Sequence, residues 1–330
     1  MNRTIGVVGA GAWGTALAQM LASSGEPVLL WAREEGLADE INTKRINGPY
    51  LPSAQLAASI RATSAMAELS ACDVLLLVTP AQHLASVMAQ MPALPRDLIL
   101  CSKGIEQGSG AMMHEVAHKA APNSEIAVLS GPTFAHEVAA GLPTAVTLAC
   151  GGGEEQWQRL APAVARDTFR PYYSDDLVGA EIGGAVKNVL AIACGVVDGL
   201  RLGQNARAAI ITRGFAEMLR FGEALGARAE TLSGLCGLGD LVLTCSSTSS
   251  RNFSLGMALG EGADPAGLLA DRRTVAEGAH TAPVLRELAA QKGVAMPIVD
   301  AVARLLQGAE AQEIVRELLA RPLRAEGAQA

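Results

Sequence analysis

Residues 9–14 read GAGAWG, directly after the apolar run TIGVV at 4–8 and directly before TALAQMLASSG at 15–25. Strand, glycine turn and helix in that order leave few folds open. Each glycine of a GxGxxG turn meets its own demand. Gly9 allows the tight turn, Gly11 lets the backbone approach a diphosphate, and Gly14 lets helix pack closely on strand, with the anion at the positive helix end. A glycine-rich turn alone can arise by chance. Here a second strand, PVLLW at 27–31, follows at the spacing of a βαβ unit, and the turn reads as a dinucleotide site.

The same alternation continues. Apolar runs at 73–78, 97–101 and 125–130 are separated by helix-like segments, the pattern of a parallel sheet covered on both faces. Runs at 144–150 and 169–173 are further strands, with a helix over 154–164 between them. From residue 177 the β signal fades. Helices are expected at 177–199, 205–226, 252–260, 277–291, 297–306 and 310–319, broken by loops at GLRLGQN, SGLCGLGD and CSSTSSRN. The expected fold is therefore α/β: a Rossmann-type doubly wound sheet over 1–184, binding the dinucleotide, followed by an all-helical substrate-binding domain over 185–330.

Composition narrows the ligands. A formal net charge of -7 argues against a protein that clamps a nucleic-acid backbone, so an anionic ligand must be met by local cations. The six cysteines form no CxxC pair and no His/Cys zinc spacing, so no metal site is expected, and scattered thiols in apolar surroundings point to a reducing compartment. The first nine residues run straight into strand and turn, leaving no room for a signal peptide, and a cytoplasmic protein is expected. The longest stretch without a formal charge, 74–95, carries Pro80, Pro92 and Pro95 and reads as strand, turn and helix rather than a membrane span.

The strand PVLLWARE ends in Ala32 and Arg33. An arginine there can accept the 2′-phosphate of NADP, whereas Glu34 and Glu35, next in line, can serve the ribose diol of NAD; NADP is favoured and NAD stays open. Ligands of open α/β sheets lie beyond the carboxyl ends of the strands, which directs Lys103 and the turn Gly131-Pro132-Thr133 to the cofactor mouth. His83, also after a strand, reads as a surface histidine at a helix start. In GGAVKNVLAIACG at 183–195, Lys187 is the one cation of a glycine- and alanine-rich helix, and no acidic residue follows until Asp198. Such a lysine either snorkels its head to solvent or is kept for chemistry, because apolar neighbours disfavour its charged form and ready it to exchange a proton.

Several longer blocks carry a resemblance. GAGAWGTALA, CSKGIE, LSGPTFAHEVAAGLPTAV, GGAVKNVLAIACGVVDGLRLGQNARAA with Ile210 in place of a leucine, TLSGLCGLGDLVLTC and SSRN occur in order from about residue 5 to 280. Together they resemble the bacterial NAD(P)-dependent glycerol-3-phosphate dehydrogenases. The resemblance implies a 6-phosphogluconate dehydrogenase-like architecture, a homodimer, and interconversion of dihydroxyacetone phosphate and sn-glycerol 3-phosphate for phospholipid synthesis. It makes Lys187 the proton donor in reduction and acceptor in oxidation, a role worth about 10² to 10⁴ in rate. It puts Lys103 on both cofactor and substrate, Asn188 beside the reacting centre, and Asp240 on the lysine or a substrate hydroxyl. Ser250, Arg251 and Asn252, with Gly131 and Thr133, are implied to hold the substrate phosphate. Gly9, Gly11, Ala12, Trp13, Gly14, Arg33, Ala135, Arg251, Val275 and Glu277 are implied to line the cofactor. Two departures stand out: Ala12 where a serine is common, and the neutral loop CSSTSS where acidic loops are familiar.

Two other readings are compatible with parts of this pattern. Another two-domain, lysine-dependent dehydrogenase, acting on a 3-hydroxy acid or on ketopantoate, would share the fold and the lysine, and the SSRN and SGPTFA blocks separate it from a phosphotriose enzyme. A non-catalytic NADPH sensor would leave Lys187 spare and need no second anion site.

Overall fold

The computed structural model describes residues 4–91, 94, 96–270 and 276–322. The chain divides into two compact units, bounded at Met1–Lys103 with Ala111–Glu181, and at Gly104–Gly110 with Ile182–Ala330. Residues 104–110, which lie within the expected first domain along the chain, thus cluster with the second unit.

Unit 1 is built on an eight-stranded sheet in the order β3-β2-β1-β4-β5-β6-β7-β8. The strands are β1 (Ile5–Val8), β2 (Val28–Trp31), β3 (Ile60–Thr63), β4 (Val74–Leu77), β5 (Asp97–Leu100), β6 (Glu125–Ser130), β7 (Thr144–Cys150) and β8 (Phe169–Ser174). Every residue of β1, β2, β4 and β5 is buried, which is why these runs show no polar alternation: helices cover both faces. Those helices are α1 (Ala12–Leu21), α2 (Glu35–Lys44), α3 (Leu84–Met88), α4 (Met113–Ala120), α5 (Ala135–Ala139) and α6 (Gly153–Val164). β1 pairs with β2 on one side and β4 on the other, Ile5 lying opposite both Val28 and Val74. The strand order therefore reverses at β1, and the glycine turn leaves the sheet at its topological switch point.

Two features of the sheet lie beyond what the sequence pattern showed. The sheet is not wholly parallel, because β7 runs antiparallel to β6 and β8 runs parallel to β7. Periodicity reports burial, not direction, so it could not show this reversal. The edge strand β3 was also not foreseen: it spans only four residues, and Arg61 interrupts its buried positions.

Unit 2 is helical. It holds α7 (Leu177–Gly199, whose first residues belong to unit 1), α8 (Gln204–Ala224), α9 (Ala229–Leu232), α10 (Asp240–Thr244), α11 (Arg251–Gly260), α12 (Pro265–Ala270), α13 (Glu277–Gln291), α14 (Pro297–Leu306) and α15 (Ala311–Leu319). The segment SGLCGLGD, expected as a loop, instead contains a wide π-type turn over Leu235–Gly239 that runs directly into α10. Helix α7 is long and apolar enough to cross a membrane by composition, but its most apolar 18-residue window is 100% buried, so it is the core helix of this unit. It crosses α11 at very short range. A Cβ on Gly195 would sit 2.0 Å from the Phe253 carbonyl oxygen, and one on Gly256 would sit 2.0 Å from that of Ile192. Only glycine permits this backbone contact, which ties the start of α11 to the lysine-bearing stretch of α7.

Candidate active site

The sheet of unit 1 delivers the glycine turn from a fully buried strand. Gly9 has φ +116°, and a Cβ there would meet the Val78 carbonyl oxygen at 2.9 Å. A Cβ on Gly14 would lie 1.8 Å from the Gly9 carbonyl oxygen, so helix and turn touch through backbone alone. Gly11 differs: no atom lies within 4 Å of its missing Cβ, and this is the open side of the turn. Helix α1 starts at Ala12 with Gly11 as its N-cap, no capping side chain and no acid in its first turn, which leaves its first N–H groups to an anion. Among the buried polar atoms without a partner are Trp13 Nε1, Thr79 Oγ1 beyond β4 and Ser130 Oγ in β6. An uncapped helix end, a turn with no room for side chains on its sheet side and orphaned polar atoms at the strand ends fit a dinucleotide diphosphate and its flanking ribose.

Trp13, Lys103, Gly131 and Thr133 line one small pocket with Leu129, Ser130 and Val146. Lys103 Nζ donates to the Gly131 carbonyl at 3.4 Å, and Thr133 Oγ1 donates to the same oxygen at 3.3 Å. Gly131 is required by close approach, since a Cβ there would meet Val146 Cα at 2.9 Å. Ala135 opens α5. Arg33 stands apart from this pocket: its side chain is 78% exposed, and its Nε and Nη2 donate to Glu34 Oε1 at 2.9 and 2.5 Å. The guanidinium that would take a 2′-phosphate is therefore shared with the carboxylate next to it.

In unit 2, α7 places Lys187 in the core, 5% exposed, with Nζ donating to Asp240 Oδ1 at 2.5 Å and to Thr244 Oγ1 at 3.0 Å. The Thr244 hydroxyl in turn donates to Asp240 Oδ1 at 3.2 Å. Of the two partners expected for Asp240, the lysine or a substrate hydroxyl, its carboxylate meets the lysine. Fully buried Asp240 offsets the cost of burying the cation, and the pair stays viable because a third group satisfies both members. Asn188, next on α7, accepts from Asn252 Nδ2 at 3.1 Å, and Asn252 Oδ1 accepts from the Gly278 N–H at 2.9 Å. One amide of α11 so links α7 to α13 one residue from both Lys187 and Glu277, the first residue of α13.

Ser250 caps α11, accepting from the Phe253 N–H at 3.2 Å, and keeps its own proton to donate. Arg251 is exposed on the first turn of that helix. Val275 lies outside the described residues. All six cysteines are buried and free; burial pushes the Cys72 thiol up to about 11 and Cys150 up to about 12, so neither serves as a nucleophile near neutral pH. Among the described residues no cluster of three His, Cys, Asp or Glu side chains could hold a metal ion.

Two residues escaped the sequence reading. Thr244 sits four residues after Asp240, so a helical i, i+4 reading from Asp240 could have found it. Asn47 is fully buried and bonds the glycine turn, in a polar stretch, NGPY, that carries no periodic signal.

A doubly wound sheet with a phosphate-binding glycine turn, together with a helical unit burying a lysine–carboxylate pair, defines a pyridine-nucleotide dehydrogenase. The chain belongs to the NAD-dependent glycerol-3-phosphate dehydrogenase family, whose N-terminal model matches residues 4–156 and whose C-terminal model matches 176–316. It is 71% identical over 326 residues to the glycerol-3-phosphate dehydrogenase [NAD(P)+] of Erythrobacter litoralis, covering 99% of this chain and 98% of that one. It is 70% identical over 327 residues to the protein of the same name from Novosphingobium aromaticivorans, covering 99% of each. Among solved structures, the glycerol-3-phosphate dehydrogenase of Coxiella burnetii superposes with a TM-score of 0.91 at 40% identity, over 97% of this chain and 99% of that one. Similarity of this extent sets aside the hydroxy-acid and ketopantoate readings.

Proposed function

We propose that the protein interconverts dihydroxyacetone phosphate and sn-glycerol 3-phosphate using NAD(P)H. The buried Lys187–Asp240–Thr244 group carries this reading, because a charged lysine held by a counter-ion is what a developing alkoxide needs. The nicotinamide, when bound, supplies the hydride for reduction and accepts it for oxidation. Gly9, Gly11, Ala12 and Gly14 hold the diphosphate through backbone, Trp13, Ala135 and Glu277 flank the cofactor, and Val275 belongs to the same expected set. Lys187 Nζ gives its proton to the carbonyl oxygen as it becomes an alkoxide and recovers it in the reverse direction. Asp240 holds the ammonium in place and favours its reprotonation after each donation, and Thr244 fixes the carboxylate. Asn188 steadies the reacting centre. Lys103 and Arg251 supply the cations for a phosphorylated substrate that a chain of net charge -7 must provide locally, with donors from Ser250, Asn252, Gly131 and Thr133.

NADP is the favoured cofactor on the strength of Arg33, with Glu34 as its internal competitor. Supply of glycerol 3-phosphate for phospholipid synthesis and a homodimer complete the proposal and rest on the family resemblance, and a cytoplasmic setting rests on the six free, buried cysteines. The test is oxidation of NADPH, and separately of NADH, with dihydroxyacetone phosphate, unphosphorylated dihydroxyacetone and ketopantoate. Turnover is expected only with the phosphorylated ketone; equal turnover with dihydroxyacetone would remove the phosphate site from the reading.

A further inference from the structure

Asn47 follows α2 in the segment leading to β3, and its side chain is completely buried. Nδ2 donates to the Ala10 carbonyl at 2.8 Å and to Thr15 Oγ1 at 2.7 Å, and Oδ1 accepts from the Tyr50 N–H at 3.3 Å. Thr15 Oγ1 also donates to the Ala10 carbonyl, at 3.4 Å. The amide orientation follows from these partners: a flipped amide would set its oxygen against a carbonyl oxygen.

Ala10 lies between Gly9 and Gly11, and its carbonyl shares a peptide plane with the Gly11 N–H. In a trans peptide the two point in opposite directions. Fixing the carbonyl toward Asn47 therefore turns the Gly11 N–H away from Asn47, at the residue whose missing Cβ faces open space. The Ala10–Gly11 peptide turns about Ala10 ψ and Gly11 φ, and with no Cβ on Gly11 that rotation costs little, so this turn needs an external clamp to keep its donor aimed. A free carbonyl swung outward would oppose a diphosphate.

We propose that Asn47 is a positioning residue for cofactor binding, presetting the diphosphate turn by holding the Ala10 carbonyl inward, with Thr15 as its second arm. The proposal rests on the reading of this turn as a diphosphate site. Its test is calorimetric titration of NADPH and of ADP-ribose, which carries the diphosphate without nicotinamide, into wild type and Asn47→Asp. Aspartate keeps the shape and the acceptor for Tyr50 but loses both donors and places a carboxylate on the Ala10 carbonyl. Both ligands should lose affinity by the same factor, at least about tenfold, because two neutral hydrogen bonds are lost and a carboxylate oxygen is set against the Ala10 carbonyl, while the KM for dihydroxyacetone phosphate and kcat at saturating NADPH stay at wild-type values. Unchanged ADP-ribose affinity, or a loss shared by substrate KM and kcat, would overturn the positioning role and leave Asn47 as loop scaffolding. Should Asn47→Asp not fold, Thr15→Val removes the second arm, and an unchanged ADP-ribose affinity there overturns the proposal equally. Wild type that binds neither ligand would instead sink the dinucleotide reading, and the proposal with it.

Discussion

Lys187 and Asp240 are 5% and 0% exposed, and removing one partner of such a buried pair typically costs about 3–5 kcal/mol. A fold that retains this cost in its core points to chemistry rather than stability. A second buried acid has another role. Glu217, on α8, is 2% exposed and accepts from the Ile298 and Val299 N–H groups at 2.8 and 3.3 Å, satisfying the first turn of α14. Burial pushes its carboxyl from the ordinary 4.5 up to about 7, against the pull of those two N–H groups. The folded chain then holds a proton that the unfolded chain releases, so stability is greatest below about 4.5 and falls as pH rises through about 7. The loss amounts to at most roughly 3 kcal/mol. Glutamine at this position cannot titrate; its single oxygen can accept from only one of the two N–H groups, which lowers stability equally at every pH. Glu217→Gln should therefore flatten the decline in melting temperature between these pH values, and a variant with the wild-type slope would assign that slope to other groups.

Helix α7 does its work through small residues. Gly195 and Gly256 bring α7 and α11 into backbone contact, and the Asn188–Asn252 and Asn252–Gly278 bonds follow from that approach. In Gly256→Ala the new methyl would meet the Ile192 carbonyl oxygen at 2.0 Å, so the helices must separate. Overpacking of this kind costs about 1–3 kcal/mol, against roughly 0.5–1 kcal/mol gained in helix propensity. A lower denaturation midpoint with a raised substrate KM is the expected result; equal stability would show that the crossing is loose. This element also marks what was legible in the sequence. The length of α7, its lysine and its apolar character are local properties and could be read directly. That its glycines face α11 could not, because Gly195 and Gly256 are distant in sequence and meet only in the packed unit.

At the scale of the molecule, the glycine turn, most strands and the long helices were legible because each depends on a local pattern: burial on both faces, 3.6-residue periodicity, or a turn that only glycine permits. The reversal at β7, the four-residue β3 and the packing of residues 104–110 with unit 2 depend on partners remote in the chain and left no local trace. The candidate site divides the same way. Gly9, Gly11, Gly14 and Lys187 announce themselves by type and context, whereas the partnership of Lys187 with Asp240 and Thr244 joins residues 53 and 57 positions apart. The proposed function draws the dinucleotide groups from unit 1 and the proton donor Lys187 from unit 2, so on that proposal the two functions should be separable by mutation. The most direct test is Lys187→Ala assayed twice, for NADPH binding by titration and for NADPH oxidation with dihydroxyacetone phosphate. Binding at wild-type affinity with turnover reduced at least about 100-fold is the predicted result; near wild-type turnover would take the proton-transfer role away from Lys187.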